Sequence, residues 1–216
     1  MKNILIFLAP IFLFFNSCIK KECRIAGGAY LFEIPATFSP ALDTLNIGDT
    51  ITVASVFNEF LSEHNTRQSY YLKGFHFQPT TFIYRLDSVG VESKIYDNFR
   101  VIISPQYNIS LITEGDGSSS IYGEYVLQNS FYSLKYLLIP TKKGAYYLQF
   151  GAISYSEQEF EGKCKNLSTN ISVNMNKRED NNFYFIDDAK DPSYQLYRKN
   201  ILEKFNKYGG YAFYVK

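Results

Sequence analysis

The sequence predicts a mainly β protein, an antiparallel β-sandwich with one C-terminal helix packed on it. Three observations carry that expectation. Tyr and Phe number 19 each and Trp is absent, and aromatic and β-branched residues suit a pleated, half-buried surface. Short β-rich runs follow one another with turn residues between them, and no helical run of crossover length alternates with them, which favours a sandwich over a parallel sheet. Only one stretch, close to the C-terminus, repeats apolar residues at helical intervals.

Taken in order, residues 29–34 read as a first strand ended by Pro35, and Ser39-Pro40 as a turn. Gly48-Asp49 is a turn signal. It leads into residues 51–55, where Ile51, Val53 and Ser55 alternate with Thr52 and Ala54. Runs at 81–86, 99–104, 107–112 and 121–127 are bounded by Pro79, Gly90, Pro105 and the Gly115-Asp116-Gly117 turn. Residues 134–139 form a strand, Pro140 to Lys143 a turn, 144–155 the strongest central strand, and 167–173 another. Residues 174–182 are polar and read as a loop. Asp191 can cap a helix whose first position is Pro192. Tyr194, Tyr197, Ile201, Phe205 and Tyr208 then share one face. Lys204 and Lys207 complement the C-terminal end of the dipole, and Gly209-Gly210 ends the helix. Residues 211–215 are a last strand. The helix is expected to lie over one open end of the sandwich, with its Tyr stripe in the core.

Two short stretches resemble an immunoglobulin-like domain. The Gly48-Asp49 turn into 51–55 is similar to the approach to the second strand, with Ser55 where antibody domains place a first Cys. Gly144-Ala145-Tyr146-Tyr147-Leu148 is similar to the approach to the sixth, with Tyr146 at the position of a tyrosine corner. The resemblance implies an immunoglobulin-like antiparallel β-sandwich.

The first residues concern address. Lys2 is the only charge before Cys18, and residues 4–15 are apolar with Pro10 among them. A spanning helix needs about 20 apolar residues, whereas a charged start and a short apolar core suit a secretory signal. Phe15-Asn16-Ser17-Cys18 resembles the lipobox of Bacteroidota-type lipoproteins. That resemblance implies cleavage before Cys18, lipidation of Cys18, and a membrane partner held through three acyl chains. Each buried methylene contributes about 0.8 kcal/mol, so three chains hold permanently. A cleaved soluble protein and a plain N-terminal membrane helix are the rival readings. The expected organisation is a signal at 1–17, a lipidated start and tether at 18–28, and one sandwich domain over 29–216. The cluster Ile19-Lys20-Lys21-Glu22 holds one acid and two bases, which leaves periplasmic and surface orientations both open.

Cys23 and Cys164 remain as an even pair in an exported chain and read as a disulfide, with two unrelated thiols as the alternative. The loop of about 140 residues would contribute about 5 kcal/mol in the chain-entropy model. With 22 basic and 21 acidic residues, no electrostatic reason to expect nucleic acid exists. His64 and His76 are the only histidines, and neither has a neighbouring ligand at metal spacing. No metal or other cofactor and no catalytic residue is therefore expected. Glu157, Glu159 and Glu161 alternate on one strand face, as paired glycosidase carboxylates or as charges that deter edge pairing. Asp187, Asp188 and Asp191 lack EF-hand spacing and read as the helix approach.

Asp43-Thr44-Leu45, Asp49-Thr50-Ile51 and Asp87-Ser88-Val89 resemble the O-glycosylation acceptor of Bacteroidota exported proteins, which would modify Thr44, Thr50 and Ser88. The expected function is a lipid-anchored envelope binding or scaffold module, contacting an envelope protein or glycan through inter-strand loops such as 57–69 or 114–120. The alternatives are an envelope glycan or peptidoglycan hydrolase and a purely structural lipoprotein. Intact mass of the native protein tests the modification: additional hexose-sized increments are expected, and a mass of polypeptide plus lipid alone rejects it.

Overall fold

The structure, a computed structural model, describes residues 29–90, 92–155, 168–178 and 180–216. In chain order the strands begin with β1 (Ala29–Ser39), β2 (Thr44–Leu45), β3 (Ile51–Asn58), β4 (Phe60–Ser62), β5 (Ser69–Tyr71) and β6 (His76–Arg85). A one-turn helix α1 (Ile95–Asn98) leads to β7 (Phe99–Ile103), β8 (Asn108–Thr113), β9 (Ser119–Glu124) and β10 (Val126–Gln128). Then come β11 (Phe131–Pro140), β12 (Gly144–Tyr155), β13 (Ser168–Met175), α2 (Tyr184–Asp187), α3 (Gln195–Lys199) and β14 (Gly210–Val215).

All but β4 and β5, which pair in a ladder of their own, build two sheets packed as a β-sandwich. The first runs β10-β11-β3-β1-β13 with β7 also on β11, and the second runs β2-β14-β12-β6-β9-β8. Alternation decides the inner faces. Tyr30, Phe32, Ile34 and Phe38 of β1 and Ile51, Val53 and Phe57 of β3 meet Phe77 and Ile83 of β6 and Tyr146, Leu148 and Phe150 of β12 in one core. Phe57, Phe77 and Tyr132 pack ring to ring at 4.9–5.3 Å. Each such pair adds about 0.5–1.5 kcal/mol beyond area burial. The buried Tyr132 hydroxyl donates to the Leu72 carbonyl at 2.7 Å, so burying it leaves no orphan polar atom.

The sandwich agrees with the sequence; its strand directions do not all agree. β1 pairs with β13 in parallel, and so does β14 with β2. The sheets are therefore mixed. Both parallel pairs join strands far apart in the chain, where no tight hairpin dictates direction.

Two prolines expected to bound strands lie inside them. The Pro35 carbonyl accepts from Ser55 Oγ at 2.5 Å, so its nitrogen also faces β3, and the β1–β3 ladder starts only at Thr37. The Phe77 carbonyl accepts from the Tyr125 N–H at 3.1 Å, so Pro79 also faces the β9 side, where pairing starts at Thr80. In each case the missing N–H falls where no ladder bond is made. Tyr125 also divides the expected strand 121–127: β9 lies in one sheet and β10 in the other.

Tyr146 is a tyrosine corner. Its hydroxyl donates to the Lys142 carbonyl at 3.0 Å, and the residue is fully buried. Burial pushes its pKa up to about 12, against the pull of Arg85. Ser55, at the expected Cys position, is buried and bonded to Pro35.

The C-terminal helix is not continuous and does not lie over an open end. Asp191 caps as expected, its Oδ1 accepting from the Ser193 N–H at 2.9 Å. A 3-10 turn at Pro192–Tyr194 feeds α3, and Asn200 leaves helical geometry at φ −136°. Asn competes for its own backbone and so favours such breaks. A wide π turn at Leu202–Asn206 follows. The apolar stripe survives the break. Tyr194 and Phe205 pack with Leu86, Tyr147, Ile186 and Ala212 in a second core on the outer face of the second sheet. Phe205 stacks on Tyr147 at 5.3 Å. Gly209 has φ +55°, and a Cβ there would stand 2.9 Å from the Phe150 carbonyl oxygen. That close approach lets the carbonyls of Lys207 and Tyr208 accept from the N–H groups of Val173 and Phe150.

Phe205→Ala is expected to cost about 3–5 kcal/mol in urea unfolding. Tyr146→Phe is expected to cost about 1 kcal/mol in the same measurement.

Candidate binding surface

The two outer faces of the sandwich differ. The chain's own segment from Phe183 to Phe205 covers the second sheet over β6, β12 and β14. The outer face of the first sheet carries Val56, 54% exposed, and Ile102, 41% exposed, together with Thr37, Ala54, Lys135 and Leu137. Three depressions open along it. One of about 150 Å³ lies between Pro35–Thr37 and Ala54–Val56, where the ladder has not begun. One of about 390 Å³ lies on the other flank of β1, against Asn174 and Lys177. The third, about 450 Å³, lies beside Ile102 and Leu137 at the turn from β7 to β8. Arg100, Lys135 and Lys177 on or beside this face pair with no carboxylate among the described residues. Glu33 at its border is taken by Arg178 and Asn174.

One end of the sandwich adds aromatic rings. β1 begins there, β3 ends there and β11 starts there, with Phe131 opposite Asn58. Call it the near pole. The β4–β5 ladder sets Phe60 opposite Tyr71, with ring centroids 4.7 Å apart. Glu63 fixes this hairpin to β1. Its carboxylate is completely buried and accepts from the N–H groups of Leu31 at 3.0 Å, Asn65 at 3.0 Å and Thr66 at 2.6 Å. Burial opposes its charge, but these donors outweigh burial and hold its pKa below the ordinary glutamate value.

The two candidate contact loops lie at opposite ends of the sandwich. Loop 57–69 is at the near pole, whereas 114–120 turns between β8 and β9 at the far pole, where β12 also begins. There Asp116 accepts from the Ser118 N–H at 2.8 Å and only closes the turn.

Cys18, Cys23 and Cys164 lie outside the described residues, as do Glu157, Glu159 and Glu161. Thr44 is half-buried on β2 opposite Tyr214, Thr50 is exposed before β3, and Ser88 is half-buried after β6. The aspartate ahead of each has a bond of its own. Asp43 accepts from the Tyr184 hydroxyl at 3.2 Å, Asp49 from the Asn46 N–H at 2.7 Å, and Asp87 twice from Arg85 at 2.9 Å. His76 is bound to Glu124 at 2.5 Å, and His64 stands apart by Leu31 and Ser172. Asp187 pairs with Arg198 at 3.3 Å, and no metal-holding cluster occurs among the described residues.

No protein-family model and no curated protein matches the chain. Among solved structures it is similar to a type II cohesin domain from the cellulosome of Acetivibrio cellulolyticus, at 8% identity and TM-score 0.33, covering 66% of this chain and 91% of that one. A human F-spondin reeler domain shares 13% identity at TM-score 0.32, covering 70% and 92%. A cohesin module from a Clostridium perfringens family 33 glycoside hydrolase shares 11% at TM-score 0.31, covering 64% and 97%. Scores this low carry no argument about this chain; the sandwich rests on its own two sheets.

Glu63→Gln is expected to destabilise the fold by about 2–3 kcal/mol at pH 7, because a buried acceptor of several N–H groups loses its charge. A depressed carboxylate pKa stabilises the folded state above the unfolded value, and that stabilisation is lost as pH falls through the folded value. The gap between wild type and variant should thus close below about pH 4. A gap independent of pH in denaturant titrations would remove the carboxylate's role.

Proposed function

We propose that this chain is a lipid-anchored binding module of a bacterial cell envelope, tethered through Cys18 and strengthened by a Cys23–Cys164 disulfide. The observation that carries the binding reading is the asymmetry of the faces. One sheet is roofed by the chain's own aromatic segment, while the other presents apolar side chains, shallow grooves and cations that pair with no carboxylate among the described residues. A face of that composition on a rigid sheet suits a protein partner bearing apolar and acidic residues. The lipidation reading rests on the residues around Cys18.

Photo-crosslinkers placed in cells at Val56 or Lys135 should capture one defined protein, while the same group at Asn108 should not. Capture of the same mixture from all three positions rejects the open face as the contact. Cys18→Ala should move the protein from the detergent phase to the aqueous phase in detergent phase separation. Unchanged partitioning rejects the anchor.

A further inference from the structure

A lipid anchor on Cys18 would hold the sandwich from the end at which β1 begins, the near pole. Ala29 opens β1 at that pole. The stretch from Cys18 to Ala29 is about eleven residues and extends at most about 40 Å. The far pole, where Gly144 pairs with Val215, lies a further strand length away.

The near pole is dressed for an interface of water and lipid. Phe60, Tyr71 and Phe131 are 57%, 43% and 48% exposed. Aromatic rings of this kind favour the headgroup layer, where an apolar body and a wet edge are both satisfied. The hairpin's carboxylates, Glu59 and Glu63, are buried. Its exposed cations are Arg67 and Lys73, which suit anionic headgroups. Neither Phe60 nor Tyr71 belongs to the sandwich core.

We propose that Phe60, Tyr71 and Phe131 rest in the headgroup layer of the membrane that holds the anchor. The proposal rests on the lipid-anchored reading. It stands the sandwich upright on its near pole, with the open face of the first sheet turned sideways to the periplasm or the medium.

The chain contains no Trp, so one introduced Trp reports alone. The native lipidated protein is reconstituted into vesicles of phosphatidylethanolamine and phosphatidylglycerol, with or without brominated acyl chains. Phe60→Trp and Phe131→Trp should be quenched by brominated lipid at least about twofold more than Val89→Trp, which marks the far pole. Tyr71→Glu combined with Phe131→Glu should leave flotation intact and abolish the quenching of Phe60→Trp. Protein that floats with equal or absent quenching at the two poles overturns the proposal and leaves the anchor standing. Protein that does not float overturns the anchor, and the proposal with it.

Discussion

The rest of the architecture follows from the fact that β12 is apolar on both faces. Tyr146, Leu148 and Phe150 point into the sandwich, and Tyr147 points out of it, yet all are completely buried. A strand of a two-layer sandwich needs only one dry face. The outward Tyr147, with Tyr84 stacked 5.8 Å away, would leave a large apolar area in water, at a cost of about 25 cal/mol per Å². The chain answers with its own residues between β13 and β14. That segment need not be a regular helix. It needs to set Phe205 and Tyr194 on Tyr147 and to bring Gly209 against Phe150. A break at Asn200 and a π turn are compatible with both.

Much of this was legible in the chain. The alternation at Ile51, Val53 and Ser55, the corner at Tyr146, the cap at Asp191 and the buried Tyr194 and Phe205 are local patterns, and each survives in the structure. What failed depended on neighbours. Whether a proline ends a strand depends on which way its nitrogen points, and at Pro35 and Pro79 that is set by distant partners, Ser55 on β3 and Tyr125 after β9. Strand direction in β1–β13 is likewise settled by distant chain. The apolar stripe marks the helical segment, but the stripe does not say whether it will meet an open end or a sheet face.

The candidate surface was less legible. Composition places aromatic residues in the core, and for Tyr30, Phe57 and Tyr132 that holds. Phe60, Tyr71 and Phe131 look the same in sequence, and only the ladder and hairpin geometry leaves them outside. Glu63 sits in a stretch that reads as a polar loop, yet it is the most deeply buried carboxylate of the hairpin. Its signal would have been the Glu-His-Asn-Thr order, in which a short turn returns N–H groups to a carboxylate two and three residues back. Loops 57–69 and 114–120 are alternatives in sequence, and only the β8–β9 register shows that they lie at opposite poles.

The parallel pairing of β1 with β13 has a kinetic meaning. The first strand of the described chain takes the register of its first eight residues from one of the last, Ala29 meeting Ser168 and Ala36 meeting Met175. Until β13 has been delivered, Phe32 and Ile34 have only one neighbouring strand to shelter beside. Contacts of such sequence separation form late and slow the search. A polypeptide emerging amino-end first must therefore keep its most apolar early strand from straying for nearly the whole of its passage, and that interval is when a chaperone would matter most.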